Sequence, residues 1–487
     1  MPDAPGAMLR ALTPPVLLSL APMMEITDRH FRYFLRLLTA RTTLYTEMYV
    51  AQTLLHAPQA RGFLRFSPEE HPVACQVGGS DPEALARAAR MIEEAGYDEV
   101  NLNCGCPSPR VAGKGAFGAR LMFSPELVRD CVAAMRAAVA IPVTVKCRLG
   151  ADDMDSYEAF ARFVRIVAEG GCTHFIVHAR KCMLKGLDPK GNRTVPPLRY
   201  PWVQRVALEN PHLRISINGG LTSWGQVEQL LCLTRPLGAG SPAAAAAAAA
   251  EGAAAAAAAA ALPQPGAPLE ALPEPGLLAC GEAECCDAAG DCSTSAGKGG
   301  WGEGGAATSS SEGEGEGEGG GGGAAAAGGS PIKHDAHLGL LPTSQFLEEG
   351  LGLPLPIAPG VYGGEGALLE SCMIGRAAYN TPWMFGDADR RFFGAANPGL
   401  SRREVLEAYV AYTERVVGSL PEDELGMAQY RPFVMAKPLI SLFQGEYGGG
   451  RFRRTLSVAL QDKKLGLREA VAEAMQEVQG DSLDARW

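Results

Sequence analysis

Long apolar runs are absent from this 487-residue sequence. No stretch of about 18 residues without Gly, Pro or charge has the hydropathy of a membrane span, and polyalanine is too weakly apolar to form one. Residues 1–20 also lack the order of a secretory signal. The 13 Cys show no regular disulfide spacing, which is typical of a reducing compartment. We therefore expect an intracellular protein without a membrane partner, either cytoplasmic or in an organelle (plastid or mitochondrion).

The sequence also has no excess of positive charge, and its net charge is −10. The negative charge is concentrated in residues 235–358, which contain 15 acidic and three basic side chains. The rest of the chain has 41 basic and 39 acidic residues and is nearly neutral. The overall acidity therefore does not exclude a nucleic acid partner.

Short apolar runs alternate with amphipathic helical patterns over most of the chain. Ser80 with Glu83 predicts a capping box at the start of one helix. Ser124-Pro125 opens another helical pattern, with Leu127, Cys131 and Met135 at helical spacing. Strands that alternate with helices indicate parallel βα units, and eight such units predict an α/β fold, the closed (β/α)8 TIM barrel. The predicted strands are 16–23, 43–49, 72–78, 99–104, 142–148, 174–179, 214–219 and 371–376.

One segment interrupts this pattern between strands seven and eight. Residues 241–330 contain polyalanine, Pro-Gly repeats, a Gly-Glu alternation and polyglycine, and few of their side chains could form a core. The Cys residues in this segment match no familiar zinc spacing, so we predict no metal site there. We expect a disordered insert at 235–358, flanked by two barrel segments at 15–234 and 359–395, and a helical domain at 396–487.

Helical patterns alone continue beyond residue 396. Ser401 and Glu404 form the sequence signature of a capping box, and further helical stretches are predicted at 428–444 and 452–478. Basic residues cluster in this part of the chain around Phe452, namely Arg451, Arg453, Arg454, Lys463 and Lys464. A solvated helix face and a nucleic-acid-binding surface are both compatible with this cluster.

Polar side chains recur at the ends of the predicted strands. The fourth strand leads into Asn101-Leu102-Asn103-Cys104-Gly105-Cys106-Pro107-Ser108, which places Asn101 and Asn103 on one face and the thiol of Cys106 in the loop that follows. Taken alone, Cys106 would be interpreted as a buried structural Cys. Other strands end in Gln76, Lys146 with Arg148, His178 with Arg180, Asn218-Gly219-Gly220 and Gly375-Arg376. Because catalytic groups of TIM barrels collect at this rim, we interpret these residues as one site.

The ends of strands seven and eight suit a phosphorylated ligand. Gly permits close approach of the backbone, and Arg binds phosphate through two N–H groups. Gln76, Lys146 and His178 would then face a ring with polar edges, and a Lys can stabilise an anionic reduced flavin. These features suggest FMN, although other phosphorylated ligands fit the same rim.

Several longer motifs resemble those of the tRNA-dihydrouridine synthases. These motifs are Ala21-Pro22-Met23-Met24-Glu25-Ile26-Thr27-Asp28-Arg29-His30-Phe31-Arg32, Leu44-Tyr45-Thr46-Glu47-Met48, the loop from Asn101 to Ser108, and Val177-His178-Ala179-Arg180. Asn192-Arg193-Thr194-Val195-Pro196-Pro197-Leu198 is similar to the segment that marks the A-type branch of that family. The resemblance is dense over residues 15–230 and 368–395 and loose over the C-terminal helices.

The resemblance implies an FMN-dependent enzyme that uses NADPH to reduce the C5=C6 bond of uridines 20 and 20a in the tRNA D-loop. The reduced flavin would pass hydride to C6, and Cys106 would protonate C5 of an unstacked base. FMN contacts are implied at Pro22, Met23, Met24, Gln76, Lys146, His178, Asn218, Gly219, Gly220, Gly375 and Arg376. Uracil or tRNA contacts are implied at Asn103, Arg180, Asn192, Arg193, Arg453 and Arg454. We expect a monomer that needs no metal.

Two departures from the family pattern and two alternative functions stay open. Arg120 stands where relatives often have a Cys, and that Cys of the relatives is not the proton donor. Lys437-Pro438-Leu439 replaces an Arg-His-Met run, and Pro438 would interrupt a helix or mark its first turn. The alternatives are an FMN barrel that reduces a free pyrimidine or an enone, and a tRNA-binding protein without catalysis.

Overall fold

The computed structural model describes residues 17–57, 60–108, 111, 117–232, 367–421, 428–461 and 465–487. The insert predicted at 235–358, with its four Cys, lies outside the described residues, as do Lys463 and Lys464. Among the described residues, no helix is long and apolar enough to cross a bilayer.

Eight parallel strands close into a barrel in sequence order, which confirms the predicted (β/α)8 fold. β1 pairs with both β2 and β8, so no strand edge is left open. The strands are β1 (Leu18–Leu20), β2 (Thr43–Val50), β3 (Val73–Gly78), β4 (Glu99–Cys104), β5 (Val143–Arg148), β6 (His174–His178), β7 (Arg214–Asn218) and β8 (Ser371–Ile374). β1 and β8 are shorter than predicted: a turn begins soon after β1, at Met24, and β8 ends at Ile374 because a helix begins at Arg376.

Strand side chains alternate between two environments. In β4, Val100, Leu102 and Cys104 are fully buried in the large apolar cluster that includes the surrounding helices. A second, small cluster joins Ala21, Tyr45, Ala74, Ile176 and Met373, which come from β2, β3, β6, β8 and the residue after β1. Because successive strand residues point to opposite faces, we place this small cluster inside the barrel.

Helices connect the strands on the outside of the barrel. They are α1 (Arg29–Arg36), α2 (Ala51–His56), α3 (Ala60–Phe63), α4 (Pro82–Glu94), α5 (Pro125–Ala138), α6 (Tyr157–Glu169), α7 (Tyr200–Glu209), α8 (Trp224–Leu231), α9 (Arg376–Asn380) and α10 (Ala388–Phe393). α5 begins at Pro125 after Ser124, as the sequence predicts. α4 begins after Asp81, whose carboxylate accepts from the Glu83 N–H at 3.2 Å.

The region beyond residue 396 is helical, as predicted. It contains α11 (Arg402–Gly418), α12 (Pro432–Met435), α13 (Gly449–Ala459), α14 (Leu467–Met475) and α15 (Gly480–Asp484). Ser401 and Glu404 form the predicted capping box of α11. The stretch predicted at 428–444 is divided instead: Pro438 lies in the first turn of a separate 3-10 segment, Lys437–Ser441. Pro fits there because the first turn needs no N–H partner within the helix.

Aromatic side chains join this helical region to the barrel. Tyr412 of α11 stacks on Tyr33 of α1 with ring centroids 3.7 Å apart. Tyr409, one turn earlier, lies edge-on to Phe34. Such pairs contribute about 0.5–1.5 kcal/mol each beyond their burial. The helical region is therefore held against the helix that follows the first strand of the barrel.

Candidate active site

Side chains from neighbouring strands meet at the C-terminal rim of the barrel. Strand register places Asn103 beside Lys146 and His178 beside Asn218. Gln76 lies next to Asn101 on the adjoining strand pair. The structure therefore brings together the polar strand ends that the sequence singles out on β3 to β7.

The Lys146 ammonium lies between strands inside this rim. Its Nζ donates to Asn218 Oδ1 at 3.0 Å, and Asn218 Nδ2 donates to the Met373 carbonyl at 2.8 Å. Burial, and next the nearby Arg148, lowers the pKa of Lys146 to about 8. The cation is thus held at a fixed place but at an energetic cost, which an anionic partner would offset.

His178 lies next to Lys146 and is kept neutral. Burial, with Arg148 and Lys146, lowers the pKa of His178 well below its usual range. The imidazole leaves room only for Gly at the next strand end: a Cβ on Gly219 would come within 2.6 Å of His178 Cδ2. The φ angle of Gly219 is also +109°, a conformation that side chains disfavour. The neutral imidazole of His178 and the backbone of Gly219 therefore lie side by side at the ends of β6 and β7.

Three guanidinium groups concentrate positive charge at the rim. Burial lowers the pKa of Arg180 and of Arg193, and Arg376 lowers both further. Arg180 Nη1 donates to the Pro196 carbonyl, while Arg180 Nε is buried without a hydrogen-bond partner among the described residues. The charge of Asp188 partly counteracts burial and Arg376 by raising the pKa of Arg193. This arrangement favours an anion such as a phosphate.

Cys106 lies half-buried in the loop after β4. Burial raises the pKa of its thiol, against the smaller effects of the Ser108 N–H and of Arg148 and Lys146. The Gly105 and Cys106 N–H groups both donate to Asn103 Oδ1, at 3.0 and 2.9 Å. The thiol is therefore protonated at neutral pH and held in a fixed loop, as a proton donor requires.

Arg148 is a rim residue that sequence reasoning placed beside Lys146 but gave no role. Its guanidinium is buried and donates to the carbonyls of Gly105 at 3.0 Å, Asn192 at 2.8 Å and Lys181 at 3.1 Å. It thereby joins the Cys106 loop to the segment after β6. The signal in the sequence was the alternation that places Lys146 and Arg148 on one strand face.

Other predicted residues lie in different environments. Asn192 is fully buried, and its side chain bonds to the backbone of Met183, Leu187 and Asp188. Its predicted substrate contact stays a prediction, because this amide already serves to fold its own loop. Arg453 and Arg454 lie on the exposed face of α13, in the helical region.

The turn after β1 carries the remaining predicted flavin contacts. The Thr27 N–H donates to the Met23 carbonyl at 2.9 Å, and the Met23 N–H donates to Thr27 Oγ1 at 3.0 Å. Pro22 is partly buried, and Met24 is 57% exposed at the tip. Glu25 takes a left-handed φ of 63°, and its N–H donates to the Glu47 carboxylate. Such backbone strain in a non-Gly residue is typical of functional turns.

The donor set fits FMN. Arg376, which opens α9 directly after β8, suits the flavin phosphate, and the bare backbone of Gly219 and Gly220 allows close approach of a ligand. Lys146 and the neutral His178 suit the polar edge of a flavin ring. The described residues contain no group of three or more His, Cys, Asp or Glu that could hold a metal ion.

Comparison with known proteins identifies related sequences. The sequence profile of the dihydrouridine synthase (Dus) family matches residues 19–236. Proteins named tRNA-dihydrouridine(20/20a) synthase from Synechocystis sp., Vibrio cholerae and Escherichia coli K12 are 59%, 57% and 56% identical to this chain over 214, 208 and 206 residues. These alignments cover 44%, 42% and 42% of this chain. They cover 64%, 62% and 59% of the relatives, so the match spans less than two thirds of each relative's length.

The matched segment contains most of β1 and all of β2 to β7, and thus most of the rim, including Cys106, Lys146 and His178. Residues 19–236 of this chain are therefore similar to the dihydrouridine synthase family, and the matched relatives carry names that refer to positions 20 and 20a.

Proposed function

We propose that this protein reduces uridines 20 and 20a in the D-loop of tRNA to 5,6-dihydrouridine, with FMN as cofactor and NADPH as reductant. The observation that carries the proposal is the protonated Cys106 thiol, fixed by Asn103 at a rim that holds Lys146 and a neutral His178. The names of the relatives support the same substrate.

The residues of the rim would have separate roles in proton transfer and in cofactor binding. Cys106 Sγ gives its proton to C5 of the uracil, and Lys146, His178, Gly219 and Arg376 hold the cofactor. FMN, when bound, supplies the hydride for C6. Gln76 Oε1 uses one hydrogen of Asn103 Nδ2, so the second hydrogen can donate to a uracil carbonyl.

Binding of tRNA would rest on positive charge at two places. Arg180 and Arg193 lie at the rim, where an unstacked nucleotide must enter, and Arg453 and Arg454 lie on an exposed helix face. Single-stranded loops suit such a site because their bases can be turned out at low cost.

We further propose an intracellular monomer. The nine described Cys are free thiols, which supports a reducing compartment.

The test is mass spectrometry of D-loop fragments from uridine-unmodified tRNA after incubation with the protein, FMN and NADPH. A gain of two hydrogens at position 20 or 20a is expected. Oxidation of NADPH by the flavin-loaded protein without that gain would favour a free pyrimidine or an enone as substrate. Binding of tRNA without any flavin would overturn the interpretation of the rim and favour a non-catalytic tRNA-binding protein.

A further inference from the structure

The inward face of β4 is polar along its whole length. Glu99, Asn101 and Asn103 alternate with the apolar residues that pack outward, so all three point into the barrel. Glu99 and Asn101 are buried, at 9% and 0% exposure, and Asn103 reaches the rim. A row of buried polar side chains inside a barrel is costly unless every group is satisfied.

Hydrogen bonds connect this row from the floor of the barrel to the rim. Thr144 Oγ1 donates to Glu99 Oε1 at 2.6 Å, and Asn101 Nδ2 donates to Thr144 Oγ1 at 2.8 Å. Gln76 Nε2 donates to Asn101 Oδ1 at 2.8 Å, and Asn103 Nδ2 donates to Gln76 Oε1 at 2.7 Å. The Cys106 N–H completes the chain by donating to Asn103 Oδ1 at 2.9 Å.

Every donor in this chain points towards Glu99. At the rim, the backbone N–H of Cys106 can only donate, so the oxygen of Asn103 must face it. The nitrogen of Asn103 then faces Gln76, and the same reasoning orients Asn101 and the Thr144 hydroxyl. At the floor, Glu99 Oε1 accepts from both Thr144 and Tyr45, each at 2.6 Å. The two ends of the chain therefore demand the same orientation of every amide between them.

We infer that Glu99 and Thr144, at the floor of the barrel, are positioning residues that hold the Cys106 loop in place through Asn101, Gln76 and Asn103. Neither residue lies at the rim, and neither needs to touch a ligand. Hydrogen bonds in series also polarise one another, so the acceptor at the floor strengthens the bond at the rim. The value of this arrangement for proton transfer rests on the proposed function; the positioning of the loop does not.

Tyr45 provides an internal comparison. It donates to the same Glu99 oxygen as Thr144 but lies on a side branch, because no bond in the chain to Cys106 passes through it. Loss of its hydroxyl therefore perturbs Glu99 without interrupting the chain. Burial raises the pKa of Glu99, while Thr144, Tyr45 and the more distant Arg214 counteract that effect.

The experiment compares Thr144→Val, which breaks the chain, with Thr144→Ser, which retains the hydroxyl, and Tyr45→Phe, which removes the branch. Alkylation of Cys106 by iodoacetamide is followed as a function of pH by peptide mass spectrometry on the full-length, flavin-free protein. In Thr144→Val the freed loop exposes the thiol, so the profile moves to lower pH and the rate at neutral pH rises by about threefold, equivalent to about 0.5 pH unit. Thr144→Ser and Tyr45→Phe keep the wild-type profile.

The inference is overturned if Thr144→Val keeps the wild-type alkylation profile, or if Tyr45→Phe changes it as much. Should Thr144→Val not fold, Glu99→Gln replaces it: loss of the charge weakens the bonds at the floor, and the profile is expected to move in the same direction by a smaller amount. An unchanged Glu99→Gln profile would likewise overturn it. Because alkylation needs neither flavin nor tRNA, a wild-type protein that forms no dihydrouridine would remove the proposed function and leave this result standing.

Discussion

The rim of the barrel and the exposed face of α13 both carry positive charge, yet they hold it in opposite ways. At the rim, Lys146 is fixed to Asn218 and its pKa is lowered by burial. On α13, Arg453 and Arg454 lie exposed in solvent. Buried groups in a fixed geometry can act on one bond of a substrate, whereas solvated charges act at long range and are screened by salt. Substitutions at the rim should therefore change rates and affinities strongly, and those on α13 only weakly.

The largest effect is expected at Cys106. Cys106→Ala removes the proposed proton donor, and reduction of tRNA should slow by roughly 10²- to 10⁴-fold, the usual contribution of a general acid. Flavin and tRNA binding should remain, and both are measured by titration beside the single-turnover rate. Cys232→Ala is the control, since this free thiol follows α8. An undiminished rate in Cys106→Ala would remove this residue from its role.

The next effect concerns Lys146. Lys146→Met should weaken FMN binding by about tenfold, or about 1.4 kcal/mol, measured by quenching of flavin fluorescence. With a pKa of about 8, the wild-type cation is present below that pH and lost above it, so wild-type affinity falls as pH rises through 8. The variant should show no such fall. Lys181→Met is the control because Lys181 pairs with Asp155 at 2.8 Å; an equal loss there would contradict a specific role for Lys146.

Lys146 also makes stability depend on pH. Its pKa falls from 10.5 in the unfolded chain to about 8 in the fold, so the unfolded chain binds more protons between these values. The free energy of unfolding contributed by this group therefore rises with pH from about 8 to 10.5. Chemical denaturation of the flavin-free protein should show this rise, and the Lys146→Met variant should lack it.

A smaller effect is expected at Gly219. Gly219→Ala places a Cβ within 2.6 Å of His178 and imposes a side chain on a φ of +109°, which should cost about 1–3 kcal/mol of stability. Gly225→Ala is the matched control, because nothing lies within 4 Å of its Cβ in α8 and Ala favours a helix. Thermal unfolding of both variants separates the two cases, and equal melting temperatures would contradict the crowding at the rim.

The smallest effect is expected on α13. Replacing both Arg453 and Arg454 by Ala should lower the slope of log affinity for tRNA against log salt by about 0.7–0.9 per residue and leave the rate at saturating tRNA unchanged. Arg468→Ala serves as the control, since that side chain is engaged by Glu414 at 2.6 Å. An unchanged slope in the double variant would mean that α13 does not contact phosphates.

Part of the fold and of the candidate site can be predicted from the sequence. The alternation of strands and helices predicted the barrel, and the polar strand ends predicted which residues meet at its rim, because parallel strands end at one edge. The positioning role of Glu99 could not be predicted from the sequence, because it depends on hydrogen bonds to Thr144 and Tyr45, which lie on other strands. Arg148 likewise acquires its role only from carbonyls in two other parts of the chain, the loop after β4 and the segment after β6.

Local chemistry misled in one instance. Ser80 with Glu83 reads as a capping box, but α4 starts after Asp81. Pro82, with its preset φ, takes the first helical position, and the residue before it becomes the cap. The pattern correctly predicted a capped helix start but placed it one residue too early, because Ser80 and Asp81 are adjacent and both are favourable cap residues.

The half-buried position of Cys106 has a consequence for the durability of the protein. Peroxide attacks thiolates far faster than thiols, and each step of oxidation beyond the first is hard to reverse. Burial keeps the sulfur protonated, so the same environment that retains a proton for transfer also slows oxidative damage. A thiol that is held protonated in this way should be oxidised by peroxide more slowly than a solvent-exposed one.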